Sequence, residues 1–87
     1  MRIGGINYKL EICNNVEYDG CIDFETAIIT LKSQTPDRMA KALLHESIHA
    51  LCDSVGIDLP EETVISLSSV LSDCLRDITK ELEGFYV

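Results

Sequence analysis

His45 and His49 stand four residues apart, with Glu46 directly after the first, and they are the only two histidines among 87 residues. On a helix this spacing projects two imidazoles from one face, one turn apart, where they can grip a single metal ion. Glu46 is rotated by one residue, so its carboxylate comes beside the metal rather than onto it. There it can hold a water and take its proton, while zinc lowers that water's pKa toward neutrality and polarises a peptide carbonyl. A five-position pattern with two free places can arise by chance, and a histidine bordering a core is often a hydrogen-bonding residue. Here the pattern uses every histidine in the chain and lies on a well-delimited helix.

A catalytic zinc needs a third protein ligand, with the fourth position left to water. No histidine remains, and the long three-histidine pattern fails, because Cys52 stands where its glycine would be and Val55 where its third histidine would be. The ligand is therefore expected to be a carboxylate, or else Cys52, one turn beyond His49. Glu61 and Glu62 open the next helical segment. At about 100° per residue Glu61 flanks that helix's apolar stripe, while Glu62 points away from it. Phase favours Glu61, with Glu62, Asp58 and Cys52 as alternatives, and Glu61 could instead complete a capping box with Asp58. His49 lies about 9 Å from the end of its own helix, so the second helix must slide back, or the loop fold over, for the two to meet. Asp53 could orient an imidazole from outside the ligand set or be a solvated acid. Tyr8, Tyr18 and Tyr86, the only tyrosines, read as packing residues, and none is singled out as an oxyanion donor.

The elements that must position these groups follow from local signals. Residues 6–12 alternate around Tyr8 and Leu10 and stop at Asn14-Asn15, which predicts a first strand. After Asp19-Gly20, residues 21–24 and 27–31 are rich in β-branched and apolar side chains and read as a tight hairpin about Glu25 and Thr26. Thr35-Pro36-Asp37 supplies a hydroxyl N-cap, a proline where its missing N–H costs nothing, and an acid at the positive dipole end. That helix is expected to run to Val55 and close at Gly56, with Leu44, Ile48, Leu51 and Val55 as its apolar stripe. A second helix is expected to start around Asp58, Pro60 and Glu61. It repeats Val64, Leu67, Leu71, Leu75, Ile78 and Leu82 at helical spacing as far as Gly84. The expected fold is α+β in one domain spanning residues 1–87: a three-stranded, mainly antiparallel sheet followed by a helical hairpin that packs on one sheet face.

Composition narrows the function. The chain is 46% hydrophobic and 25% charged, as in ordinary globular domains. A net charge of −8, from 15 acids against 7 bases, argues against direct nucleic-acid binding. No stretch has the length of a membrane span or the pattern of a secretory signal, so the expected location is cytoplasmic. Cys13, Cys21, Cys52 and Cys74 match no zinc-ribbon spacing and are read as reduced packing thiols.

The run LLHESIHAL, followed closely by PEETVISL, resembles the short phage and prophage-type ImmA/IrrE-like gluzincin metallopeptidases and their minimal minigluzincin plan. The shared arrangement covers nearly the whole chain, while only HESIH is specific. The resemblance implies a minimal zincin-like domain with one zinc per chain bound by His45, His49 and Glu61, with Glu46 as general base. It also implies a protein or peptide substrate and a mobile-element origin. The larger relatives carry a small and a polar residue three and four positions beyond the glutamate, where this chain has Val64 and Ile65. The expected function is peptide hydrolysis by a Glu46-activated water at zinc. The competing expectations are a catalytically silent zinc-binding protein and an acidic protein-interaction module.

Overall fold

A computed structural model describes residues 1–86, and among these the backbone forms five strands and two helices. The strands are β1 (Arg2–Ile3), β2 (Ile6–Asn7), β3 (Lys9–Cys13), β4 (Gly20–Asp23) and β5 (Ile28–Lys32), and the helices are α1 (Pro36–Val55) and α2 (Glu61–Tyr86). The chain is α+β with a helical hairpin after the strands, as expected. Its sheets differ from expectation in two ways.

The single strand expected over residues 6–12 is broken at Tyr8. The N-terminal part folds into a small antiparallel hairpin, with Arg2 opposite Asn7 and Ile3 opposite Ile6. Gly4 and Gly5 make its turn at φ +57 and +83, the left-handed pair that a two-residue hairpin needs. Tyr8 then turns inward into the core, its backbone tied to Met1 through Tyr8 N–H to Met1 O at 2.7 Å and the Met1 amine to Tyr8 O at 2.9 Å.

The main sheet has the order β3-β5-β4, so it is mixed rather than mainly antiparallel: β5 pairs parallel with β3 and antiparallel with β4. The physical reason is burial. β5 alternates cleanly, sending Ile29 and Leu31 inward at 1% and 2% exposure, and the central place lets this most apolar strand satisfy both of its edges. The turn before it spans residues 24–27. Asp23 Oδ1 accepts from the Glu25 and Thr26 amides at 3.0 and 3.3 Å, which holds the Asp23 carboxyl below its ordinary pKa, Thr26 contributing most.

α1 matches its expected bounds. Proline occupies the first turn, and Gly56 closes the helix at φ 71, with its N–H and that of Ile57 on the carbonyls of Asp53 and Cys52. Thr35 takes the N-cap position but its hydroxyl makes no capping bond. The buried face is rotated from the expected stripe: Ala42, Glu46, Ser47, Ile48 and Ala50 are buried, whereas Leu51 and Val55 are exposed. Small residues let α1 lie close on the sheet. Gly20 of β4 completes the approach, since a Cβ there would stand 3.3 Å from Glu46 Cγ and from Leu31 Cδ2, and 3.5 Å from Ala42 Cβ. The core joins Ile3, Tyr8, Ile29, Leu31, Ala42 and Ala50.

α2 corrects three further expectations. It begins at Glu61 after Pro60, whose carbonyl accepts from Thr63 and Val64, so Asp58 is not its cap, and it continues through Gly84. It lies against α1 and, among the described residues, against no strand. Only the α1 layer covers the sheet. Val64 and Ser68 are buried, while Leu71, Leu75, Ile78 and Leu82 of the same stripe stay about half exposed. Arg76 Nη2 meets Asp37 Oδ1 at 3.8 Å, which marks the start of α1 alongside α2. Among the described residues no helix is long and apolar enough to cross a membrane.

Candidate metal centre

Three of the residues singled out from the sequence converge. The loop of residues 56–60 folds over so that Glu61, the first residue of α2, faces the histidine pair in the middle of α1. His45 Nε2 lies 2.7 Å from Glu61 Oε1 and His49 Nε2 lies 3.0 Å from Glu61 Oε2, one carboxylate oxygen for each ring. The two Nε2 atoms are 3.3 Å apart, with the rings edge to face at 68°. One ligand atom from each of the three residues falls within 4.8 Å of the others.

These distances suit zinc. Ligands about 2.0–2.1 Å from a tetrahedral zinc stand about 3.3 Å from one another, which is the separation of the two imidazole nitrogens. The two nitrogen-to-oxygen distances are shorter, being hydrogen-bond lengths. An ion between the groups therefore requires Glu61 to retreat by a few tenths of an ångström. Glu61 is the group able to do so: its side chain is 61% exposed, against 20% and 29% for His45 and His49. Glu62, Asp58 and Cys52 do not join this cluster, which among the described residues contains His45, His49 and Glu61 alone. Asp53 is exposed, and none of the hydrogen bonds or ion pairs of the described residues joins its side chain to either ring.

Glu46 sits differently. It points to the sheet side of α1 and is 7% exposed, packed where Gly20 leaves room. Burial pushes its carboxyl pKa above the ordinary value. His45 and His49 pull it back in part, and Glu61 adds a smaller push upward. A carboxylate destabilised in this way is a stronger proton acceptor than an exposed one.

A cleft of about 580 Å³ lies beside the centre, between α1, α2 and the start of β4, with Glu46 and, of the three candidate ligands, His45 in its wall. β4 is an edge strand, so it can accept an added strand of peptide alongside the metal centre. The cleft also contains Arg38, Lys41, Gly20 and Ser69, none of which stood out from the sequence. A signal for the two bases was present, since Arg38, Lys41 and His45 follow the i, i+3, i+7 spacing of one helix face. Of the tyrosines, Tyr8 is in the core, and the neighbouring Cys21 thiol raises the Tyr18 pKa. The side chain of Tyr86 lies outside the described residues.

Comparison with protein-family models, with curated proteins and with solved structures found no match.

Proposed function

We propose that this chain is a zinc-dependent metallopeptidase of minimal zincin-like, gluzincin-type plan. The observation that carries the reading is the convergence of His45, His49 and Glu61 on one point, with the buried Glu46 next in sequence to the first of them. The two imidazoles and the Glu61 carboxylate would hold the ion. Zinc bound there would supply a Lewis acid for the scissile carbonyl and acidify a water molecule. Glu46 takes the proton from the attacking water and later gives it to the leaving amine, a role suited to a carboxyl whose pKa burial has raised. The β4 edge and the cleft hold the peptide backbone extended, so that its carbonyl is presented beside His45 and Glu46.

A zinc-binding module without turnover is the second reading. It is favoured because no tyrosine or further histidine lines the cleft among the described residues to meet a developing oxyanion. One assay separates the two. Zinc-loaded protein is incubated with a complex peptide mixture and cleavage is followed by mass spectrometry, with metal content measured in parallel. The hydrolase reading expects Glu46→Gln to retain zinc and to lose about 10²–10⁴-fold in rate, the usual contribution of a positioned base. A Glu46→Gln chain as active as the parent removes Glu46 from the chemistry. Peptides left intact by the zinc-loaded parent favour the silent module.

A further inference from the structure

The cleft beside the metal centre is less acidic than the chain as a whole, with two bases and two acids in its wall. The sequence carries 15 acids and 7 bases, yet two of those bases, Arg38 and Lys41, line this one cleft. Among the described residues that line it the acids are Glu46, which is buried, and Asp19, whose Oδ1 accepts from Gln34 Nε2 at 3.3 Å and keeps its charge. Lys9 and Arg76 each meet a carboxylate, on Glu11 and Asp37. Among the described residues Arg38 and Lys41, like Arg2, Lys32 and Lys80, meet none within 4.0 Å, and of these five only Arg38 and Lys41 line the cleft.

The position of Arg38 makes this more than a matter of count. It lies in the first turn of α1, where the helix dipole already presents positive charge and a cation lowers helix stability. The fold gains no ion pair from it, and a surface helix in an acidic protein could place an acid there at no cost. Arg38 and Lys41 stand on the cleft side of the start of α1, with Asp37 of the same turn engaged by Arg76, and His45 and Glu46 lie further along. At 1.5 Å per residue, Lys41 and Arg38 stand about 6 and 10 Å along α1 from His45. An extended peptide covers about 3.3 Å per residue, so these distances correspond to about two and three residues.

Resting on the hydrolase reading above, the geometry points to substrates that carry a carboxylate two or three residues from the scissile bond, bound by Lys41 and Arg38. The carboxylate belongs to an Asp or Glu side chain or to the peptide's C-terminus. The net charge of −8 opposes the approach of acidic peptides at low salt. At physiological ionic strength it is screened over about 8 Å, while direct contact of a carboxylate with the two exposed bases acts within that length and is weakened less.

The test separates binding from turnover. The zinc-loaded Glu46→Gln chain is titrated, at about 0.15 M salt, with fluorescent peptides identical except for Glu, Gln or Lys at one position and capped at both ends. A further Gln peptide has a free C-terminus. The Glu peptide should bind about three- to tenfold more tightly than the capped Gln peptide, as two partly exposed charge pairs allow. A comparable gain for the uncapped Gln peptide identifies the terminal carboxylate as a second source. Adding Arg38→Gln and Lys41→Gln should level the series, and Arg38→Glu with Lys41→Glu should turn the preference to Lys, with zinc content and circular dichroism unchanged. Equal binding of all peptides, no binding of any, or a preference that survives the charge reversal overturns the inference. If the binding order holds while the parent cleaves none of the peptides, the carboxylate subsite stands and the hydrolase reading falls.

Discussion

Replacing Glu46 with Gln should make the metal-free protein more stable at neutral pH. The side chain is 7% exposed, and none of the hydrogen bonds or ion pairs of the described residues involves it, so its charge is carried without a direct partner. Burial raises the carboxyl pKa above 4.5, the value of the unfolded chain. Below that unfolded value Glu46 is protonated in both states and contributes no penalty. As pH rises through the folded pKa the unfolded chain holds fewer protons than the folded one, stability falls, and above it the loss is complete. The Glu46 oxygens keep access to the cleft, so desolvation costs about 1–2 kcal/mol rather than the full penalty of an unsatisfied buried charge. The two histidines offset part of this, and the Gln amide brings a desolvation cost of its own. A net gain of about 1 kcal/mol at pH 8 is therefore expected, which for a domain of this size raises Tm by about 4–8 °C. The assay is thermal unfolding of parent and Glu46→Gln from pH 4 to 8, with chelator and then with saturating zinc. The gap should vanish near pH 4, open toward pH 8, and narrow when zinc supplies a positive charge beside the carboxylate. A gap that is constant with pH, or a parent more stable than Glu46→Gln at pH 8 without metal, would refute the burial argument.

Two glycines give further tests. Gly4→Ala places a Cβ 2.3 Å from Ser54 Cβ on a backbone at φ +57, which should destabilise the fold by about 2–4 kcal/mol from left-handed strain and overpacking together, read as a lower urea midpoint. Gly20→Val crowds Glu46 Cγ and Leu31 Cδ2, each 3.3 Å from the first added carbon. It should cost about 1–3 kcal/mol of stability and lower kcat by about tenfold or more through displacement of the base, with zinc content unchanged.

The parts of the fold legible in the sequence are those set by local covalent rules. Proline in the first turn and a left-handed glycine at the end delimit Pro36–Val55, because each acts on its own φ angle. The spacing of His45, Glu46 and His49 determines their helical faces, and phase alone separates Glu61 from Glu62. The missed features depend on partners distant in sequence. β1 and β2 have two residues each, too few for alternation to register. Parallel pairing of β3 with β5 follows from Ile29 and Leu31 claiming the centre of the sheet, a competition among strands rather than a property of either one. The buried face of α1 departs from its stripe of large apolar residues because close contact with the sheet selects Ala42, Ser47 and Ala50. Arg38 and Lys41 were overlooked as site residues because a cation on a helix is ordinarily just solvated. Only the cleft distinguishes them.

The central claim is a metal centre made by His45, His49 and Glu61, and zinc-edge X-ray absorption on the purified chain tests it most directly. One zinc per chain is expected, with nitrogen and oxygen neighbours only, at about 2.0–2.2 Å, and with loss of one oxygen neighbour in Glu61→Ala. A sulfur neighbour at about 2.3 Å would put Cys52 or another thiolate in the site. That result, an unchanged spectrum in Glu61→Ala, or no zinc bound at all would contradict it.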